Sequence, residues 1–492
     1  MTMRWMTALW LLLALTLPAA AQDRAQVPRQ MRLPSPSVTH HMLDLPGRQL
    51  RITATAGGIV VPDATGAPQA EVAYIAYALD GADPHRRPVT FVFNGGPGFA
   101  SAWLQLGAVG PWRLRMGGPG DEQDGIPSAQ PDLLPNAETW LDFTDLVFID
   151  PVGTGYSHIV AGGADARKRL WSVNGDIAYL AETVRRWLAG AGRVASPKFL
   201  LGESYGGFRV PRLARALQED EGIGVNGLIL VSPVLDFGGR SSAFDPLFWA
   251  EHLPSLAAVE RAKTGAVSRE QLADVEAYAT GEFLHDQIAS SRDPVARQRM
   301  AARVAALTGV DPALVLEEGG GIQIGTFLRQ TQPGRIASIY DATISNPAAI
   351  ATNPYFREPE ASLARLTAPF TSAMLELYEH RLAWRPDSLY RLRNADVERQ
   401  WDWGRGLVAP ESVTALRVAL AVDPRLRVLV AHGLFDLITP YFATAMILDH
   451  LPDIGAPGRV KLVTYPGGHM FYSRDESRAA FREEAKRLIE RE

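Results

Sequence analysis

No cysteine occurs in the 492 residues, which removes disulfides, thiol nucleophiles and cysteine-ligated metals together. Neither charge dominates: 49 Lys and Arg stand against 54 Asp and Glu, a net charge of −5, with no basic block to track a phosphate backbone. Nucleic acid is therefore not an expected partner. There is no HExxH pair, and His40-His41 reads as a solvated pair beside an N-terminal leader, so no metal or other cofactor is predicted. A long apolar run is also missing everywhere but at the start. There, Arg4, the stretch Ala8 to Leu17 and Pro18-Ala19-Ala20-Ala21 predict a secretory signal peptide over residues 1–21, cut after Ala21, with an uncleaved anchor as the alternative. The expected product is a secreted or periplasmic soluble chain without stable membrane association. Its oligomeric state is not written in the sequence.

What is present is ample for one large α/β domain. Residues 22–39, rich in Pro, Gln and Arg, read as a flexible leader. Eight strand-like runs follow, at Gln49 to Thr55, Glu71 to Leu79, Val89 to Phe93, Leu146 to Asp150, Phe199 to Leu201, Gly227 to Val231, Val428 to Ala431 and Lys461 to Tyr465. The later runs are continuously apolar and separated by helical patterns such as Asp176 to Leu188, as strands buried on both faces of a mostly parallel sheet would be. From 239 to 404 helical, charged segments replace strands, which predicts a helical cap inserted into a core of residues 40–238 and 405–492. Trp249, Trp384, Trp401 and Trp403 could line a pocket in that cap or form its own core.

Gly202-Glu203-Ser204-Tyr205-Gly206 lies between the buried run Pro197 to Leu201 and a helical pattern from Phe208 to Gln218. Glycines on both sides allow a turn too tight for side chains and push the serine outward, the geometry of a nucleophile elbow. A serine needs a base, and the base needs a group that fixes its tautomer. His469 follows the last strand in Gly467-Gly468-His469-Met470, and Asp436 follows the strand before it. Enzymes with this turn keep the chain order serine, acid, histidine, which Ser204, Asp436 and His469 obey. His432 is the rival base, and Asp402 and Asp423 are rival acids; His432 reads as a supporting residue because no acid at a strand end lies between it and Ser204. The developing oxyanion needs donors, for which Gly96 in Asn94-Gly95-Gly96-Pro97-Gly98, with Gly95 as the alternative, and the backbone N–H of Tyr205 are the candidates.

Together with Asp150-Pro151-Val152-Gly153-Thr154-Gly155-Tyr156-Ser157, these motifs resemble, in order, those of the serine carboxypeptidase family of α/β-hydrolases. The resemblance implies an α/β-hydrolase fold with an eight-stranded sheet flanked by helices. It also implies removal of single residues from the free C-terminus of peptide substrates through an acyl-enzyme, best in acid. Carried over, Ser204, Asp436 and His469 form the triad. Asn94, Gly95 and Glu203 bind substrate, with Asn94 and Glu203 on its terminal carboxylate. Two carboxyl groups can share a hydrogen bond only when one is protonated, so Glu203 is expected to work as the acid. The chain departs from the pattern at Phe99-Ala100-Ser101, at Val92 in place of tryptophan, and at Ala108 in place of a glutamate that helps bind the carboxylate. An esterase or acyltransferase using the same triad, and a non-catalytic binding protein on this scaffold, are the competing readings.

Overall fold

The computed structural model describes residues 32–116, 132–238, 245–347, 361–404, 406, 408–452 and 454–490. The signal-peptide expectation and most of the leader, 22–31, lie outside the described residues. So do 239–244 and 348–360 of the expected cap.

A ten-stranded sheet organises the rest: β1 (Ser37–Leu45), β2 (Arg48–Pro62), β3 (Pro68–Leu79), β4 (Val89–Phe93), β5 (Asp145–Ile149), β6 (His158–Ile159), β7 (Lys198–Glu203), β8 (Gly227–Val231), β9 (Arg427–Gly433) and β10 (Val460–Tyr465). The spatial order is β1-β2-β3-β5-β4-β7-β8-β9-β10, with β6 paired to β3. Strands β1, β2, β3 and β5 meet antiparallel, and every pair from β5 through β10 is parallel. All eight sequence-predicted strands are present. The two additional ones are β6 and β1, which pairs with β2 through a turn at Pro46-Gly47 and begins inside the stretch read as leader. The consecutive His40 and His41 thus belong to a strand: His40 Nδ1 lies 3.0 Å from Thr53 Oγ1, and the His41 ring meets Trp112 edge-on.

Strands β4, β5 and β8 are buried at every position, which is why they read as unbroken apolar runs. Alternate side chains divide between two cores. Phe91, Phe93, Leu200, Leu228 and Val430 face helices α1 (Val173–Gly190) and α2 (Tyr205–Glu219), packing on Ile177, Leu180, Phe208 and Leu213. Val92, Leu201, Ile229 and Leu429 belong to the opposite core.

The described residues between 246 and 404 are mainly helical and include α3 (Pro246–Ala262), α4 (Pro294–Thr308) and α5 (Ala361–Glu376). They also hold one short ribbon, Arg335–Ala337 with Ser345–Pro347, in a region where the sequence showed no strand signal. Apolar residues of α3 and α4 form a third core with Leu434, Phe435 and Leu437 after β9 and with Tyr441 and Phe442 of α6 (Tyr441–Asp449). Helix α5 instead joins the sheet, with Phe370 stacked on Trp103. The C-terminal helix α7 (Asp475–Glu490) closes that same core through Phe481, Ala485 and Ile489.

The connectivity positions the site. From β4 the chain passes to β5 on one side, and from β7 to β8 on the other, while β4 and β7 are themselves paired from Val89↔Lys198 to Phe93↔Gly202. Neighbouring strands whose connections depart in opposite directions leave a crevice at their carboxyl ends, the usual ligand position in open α/β sheets. Asn94 and Ser204 are the first residues beyond those two ends. This is the α/β-hydrolase architecture that the motifs implied.

Candidate active site

Ser204 stands between β7 and α2 at φ 60°, ψ −121°, a conformation that L-residues rarely adopt. Its amide donates to Val231 O at 2.9 Å. The turn is as tight as the two glycines suggested: a Cβ on Gly202 would come within 2.1 Å of Gly206 O. As the first residue of α2, Tyr205 has its N–H outside the helical ladder. A Cβ on Gly95 would fall 2.6 Å from that same nitrogen, so the glycine loop lies directly against the elbow amide. Gly96 follows at φ 104°. The candidate oxyanion donors Tyr205, Gly96 and Gly95 are therefore assembled from the two strand ends that border the crevice.

Asp436, in the loop after β9, is completely buried. Its Oδ1 accepts from the amides of Ile438 and Thr439 at 2.8 and 3.0 Å, and its Oδ2 from Thr439 Oγ1 at 2.6 Å. His469 Nδ1 lies 2.7 Å from the same Oδ2. Burial alone would raise this carboxyl, but the charge and hydrogen bond of His469, together with the side-chain and backbone hydrogen bonds of Thr439, outweigh it and hold Asp436 below its ordinary value. His469 is held at three more points: its backbone N–H donates to Tyr340 O, its backbone carbonyl accepts from Ser232 Oγ at 2.8 Å, and the Tyr340 ring meets the imidazole edge-on at 5.3 Å. Tyr340 comes from the turn between the strands of the inserted ribbon.

Ser204, Asp436 and His469 thus gather at one edge of the sheet. No direct hydrogen bond joins Ser204 to His469 among the described residues. The connection runs through the segment after β8, where Val231 O receives the Ser204 amide, Ser232 Oγ reaches His469 O, and Ser232 O lies 3.1 Å from Thr439 Oγ1. Catalytic hydrogen bonds often tighten only once substrate is bound.

Beside the serine, Glu203 is 4% exposed and Asn94 is 3% exposed, and Asn94 Nδ2 donates to Glu203 Oε2 at 2.8 Å. Burial pushes the Glu203 carboxyl up to about 7, against the opposing effects of His469, Tyr472 and Asn94, while Asp436 adds to the rise. A carboxyl so placed is substantially protonated in mild acid. The rival residues are engaged elsewhere. His432 is fully buried with Nε2 3.0 Å from Thr444 Oγ1, while Asp402 and Asp423 each accept from a nearby backbone amide, of Gly404 and Arg425.

Several supporting residues escaped sequence reasoning. Thr439 and Tyr472 each lie three places beyond a site residue, a spacing that carries no signal of its own. Arg209 and Asp176 sit in helices α2 and α1, each among apolar neighbours, and only the fold reveals that they face one another. Among the tryptophans, Trp384 is buried against Tyr156 and Tyr378, whereas Trp401 and Trp403 meet the Tyr205 ring edge-on at 5.5 and 5.7 Å, behind the elbow. No group of three or more His, Asp or Glu able to hold a metal occurs among the described residues. A cavity of about 430 Å³ opens beside Trp171 and Arg391, but none of the three candidate catalytic side chains lines it.

Residues 67–298 match the family model described as serine carboxypeptidase. Over these residues the chain is similar to the serine carboxypeptidase family. The matched stretch contains the glycine loop at Asn94 and the serine elbow and ends before Asp436 and His469. The pheromone-processing carboxypeptidase kex1 of Talaromyces marneffei is 29% identical over 137 residues, 27% of this chain. The chain spans 19% of the length of that fungal relative. Serine carboxypeptidase-like 36 of Arabidopsis thaliana is 24% identical over 266 residues, covering 52% of this chain and 47% of that protein. Among solved structures, the proline iminopeptidase of Mycobacterium smegmatis aligns over 88% of this chain and 97% of its own, with 14% identity and a TM-score of 0.38.

Proposed function

We propose that this protein is a serine-type carboxypeptidase that releases residues from the free C-terminus of peptides through an acyl-enzyme. In this reading His469 takes the proton of Ser204 as its hydroxyl attacks the scissile carbonyl, and Asp436 holds the imidazole with Nδ1 protonated. The backbone N–H groups of Tyr205 and Gly96, with Gly95 as the alternative to Gly96, meet the oxyanion. His469 then returns the proton to the departing amino group, and water repeats the cycle on the ester. No cofactor is needed for these steps.

The observation that carries the reading is the buried Asn94–Glu203 pair next to the nucleophile, with the carboxyl pushed up to about 7. A peptide's terminal carboxyl is ionised above about pH 4, so between there and neutrality a protonated Glu203 can donate to an anionic substrate carboxylate. As pH rises further, the two anions repel, which makes acid the favoured range.

Supporting the competing esterase or acyltransferase reading is Ala108, buried where the family's glutamate is usual. One experiment separates them. A short peptide should lose its C-terminal residue as a free amino acid, and the same peptide with an amidated terminus should be cut far more slowly. Equal rates on both would favour the general acyl hydrolase.

Secretion to the cell exterior or periplasm remains part of the proposal through residues 1–21. Among the described residues, no helix is long and apolar enough to cross a membrane.

A further inference from the structure

Tyr472 lies in the short turn Phe471–Ser473, three residues past His469, and is completely buried. Its hydroxyl donates to Glu203 Oε2 at 2.7 Å, the same oxygen that receives Asn94 Nδ2 at 2.8 Å. Two donors therefore converge on one oxygen of this carboxyl, while Oε1 makes no hydrogen bond among the described residues. A proton on Oε2 would crowd the Asn94 amide hydrogens and force the Tyr472 hydroxyl to turn and give up its donation, whereas a proton on Oε1 leaves both hydrogen bonds intact, so this arrangement favours the neutral acid carrying its hydrogen on Oε1. Room for the tyrosine ring is provided at Gly107, where a Cβ would come within 2.8 Å of Tyr472 Cε2 and 2.9 Å of Met116 Sδ. The next residue, Ala108, brings no polar group of its own.

From this convergence we infer that Tyr472 is a positioning residue for recognition of the substrate's terminal carboxylate. By occupying Oε2 together with Asn94, it leaves Oε1–H as the donor available to the incoming anion. The inference rests on the reading that Glu203 meets that carboxylate. It adds a second donor, supplied from the loop that also carries the candidate base, so that recognition and proton transfer are set by one short segment. The charged groups acting on Glu203 from the surrounding elements are His469, after β10, and Asp436, after β9. Neither hydrogen-bonds to it, which leaves Asn94 and Tyr472 to decide which oxygen holds the proton.

The test is the Tyr472→Phe variant, which keeps the ring in place and removes only the hydroxyl. KM and kcat are measured from mild acid to mild alkali on a peptide with a free carboxylate and on an N-acyl amino-acid ester without one. The expected result is a rise in KM of about threefold or more on the peptide, relative to the ester, as follows from losing one hydrogen bond at a charged contact. The pH at which peptide KM begins to climb should also move upward, because a donor that stabilises the Glu203 anion has gone. Equal changes on both substrates with an unmoved pH profile would overturn the role of Tyr472. Glu203→Gln separates this from the underlying reading. If that variant keeps the wild-type pH dependence of peptide KM, Glu203 does not meet the carboxylate; if it abolishes the dependence while Tyr472→Phe changes nothing, Tyr472 alone is excluded.

Discussion

Arg209 and Asp176 form an ion pair with no exposed side-chain surface on either partner, Nε to Oδ2 at 2.6 Å, directly behind the serine turn. Arg209 Nη1 also donates to the Asn94 carbonyl at 2.6 Å. Tyr179 OH extends the network, donating to Asp176 Oδ1 at 2.7 Å and accepting from the Val152 amide at 3.0 Å. Two glycine-rich loops are thereby tied to the helices beneath them. A buried pair of this kind is weak support for stability in itself, since desolvation offsets its attraction, and its role here is to hold the Asn94 loop against the elbow.

Removing one partner should therefore be costly in two distinguishable ways. Arg209→Met leaves Asp176 buried without its cation and is expected to lower unfolding free energy by about 3–5 kcal/mol. The double variant Arg209→Met with Asp176→Leu should recover most of that in urea melts, yet stay at least about tenfold down in kcat, because the Asn94 carbonyl has lost its donor. Recovery of kcat along with stability would mean that the loop does not depend on Arg209.

Asp436 Oδ2 serves both His469 Nδ1 and the Thr439 hydroxyl. Asp436→Asn presents a donor to an imidazole that needs an acceptor and should select the wrong tautomer, lowering kcat about 10⁴-fold by analogy with other serine triads. Thr439→Val removes one of four hydrogen bonds to the carboxylate and should cost only a few-fold. Rates of fluorophosphonate labelling at Ser204 report both changes without a peptide substrate. Similar labelling by wild type and Asp436→Asn would remove Asp436 from the machinery.

How far the chain could be read follows from where its signals are local. Val89–Phe93 and Gly227–Val231 are buried on both faces, so burial alone writes them as apolar runs. The elbow is local as well, since its two glycines sit two residues from Ser204 on either side. Strand β1 was hidden because it lies at the sheet's edge: Val38 and Met42 are 58% and 53% exposed, while the alternate, half-buried positions before Leu43 are Ser37, Thr39 and His41, so no apolar face is written there. The Tyr472–Glu203 bond joins residues 269 apart, and nothing near either end announces the other. Arg209 and Asp176 look like ordinary solvated charges on amphipathic helices until the helices are packed.

Glu203 also makes a statement about stability and pH. Its carboxyl moves from an ordinary value of 4.5 to about 7 on folding, so the native state binds the proton more tightly than the unfolded chain. Its stabilising contribution is full below 4.5, falls as pH rises through 7 and then levels off, a total of about 3 kcal/mol. Glu203→Gln cannot ionise and should escape the loss. Its advantage over the wild type in thermal or urea unfolding is therefore expected to grow between about pH 4 and pH 8. A difference that stays constant over this range would show that Glu203 is not the group responsible.

The backbone at Ser204 gives the most direct link between strain and function. A non-glycine residue at φ 60°, ψ −121° carries a conformational cost of about 1–3 kcal/mol, borne because the turn exposes the hydroxyl. Ser204→Ala removes the nucleophile but keeps a Cβ in the same conformation, whereas Ser204→Gly removes both. Glycine adds unfolded-chain entropy of about 0.5–1 kcal/mol, which offsets only part of the relief. The glycine variant should consequently be more stable than the alanine variant by about 1 kcal/mol, with neither labelled by a fluorophosphonate. If alanine proves the more stable of the two, the serine is not strained, and its exposure must come from the flanking glycines alone.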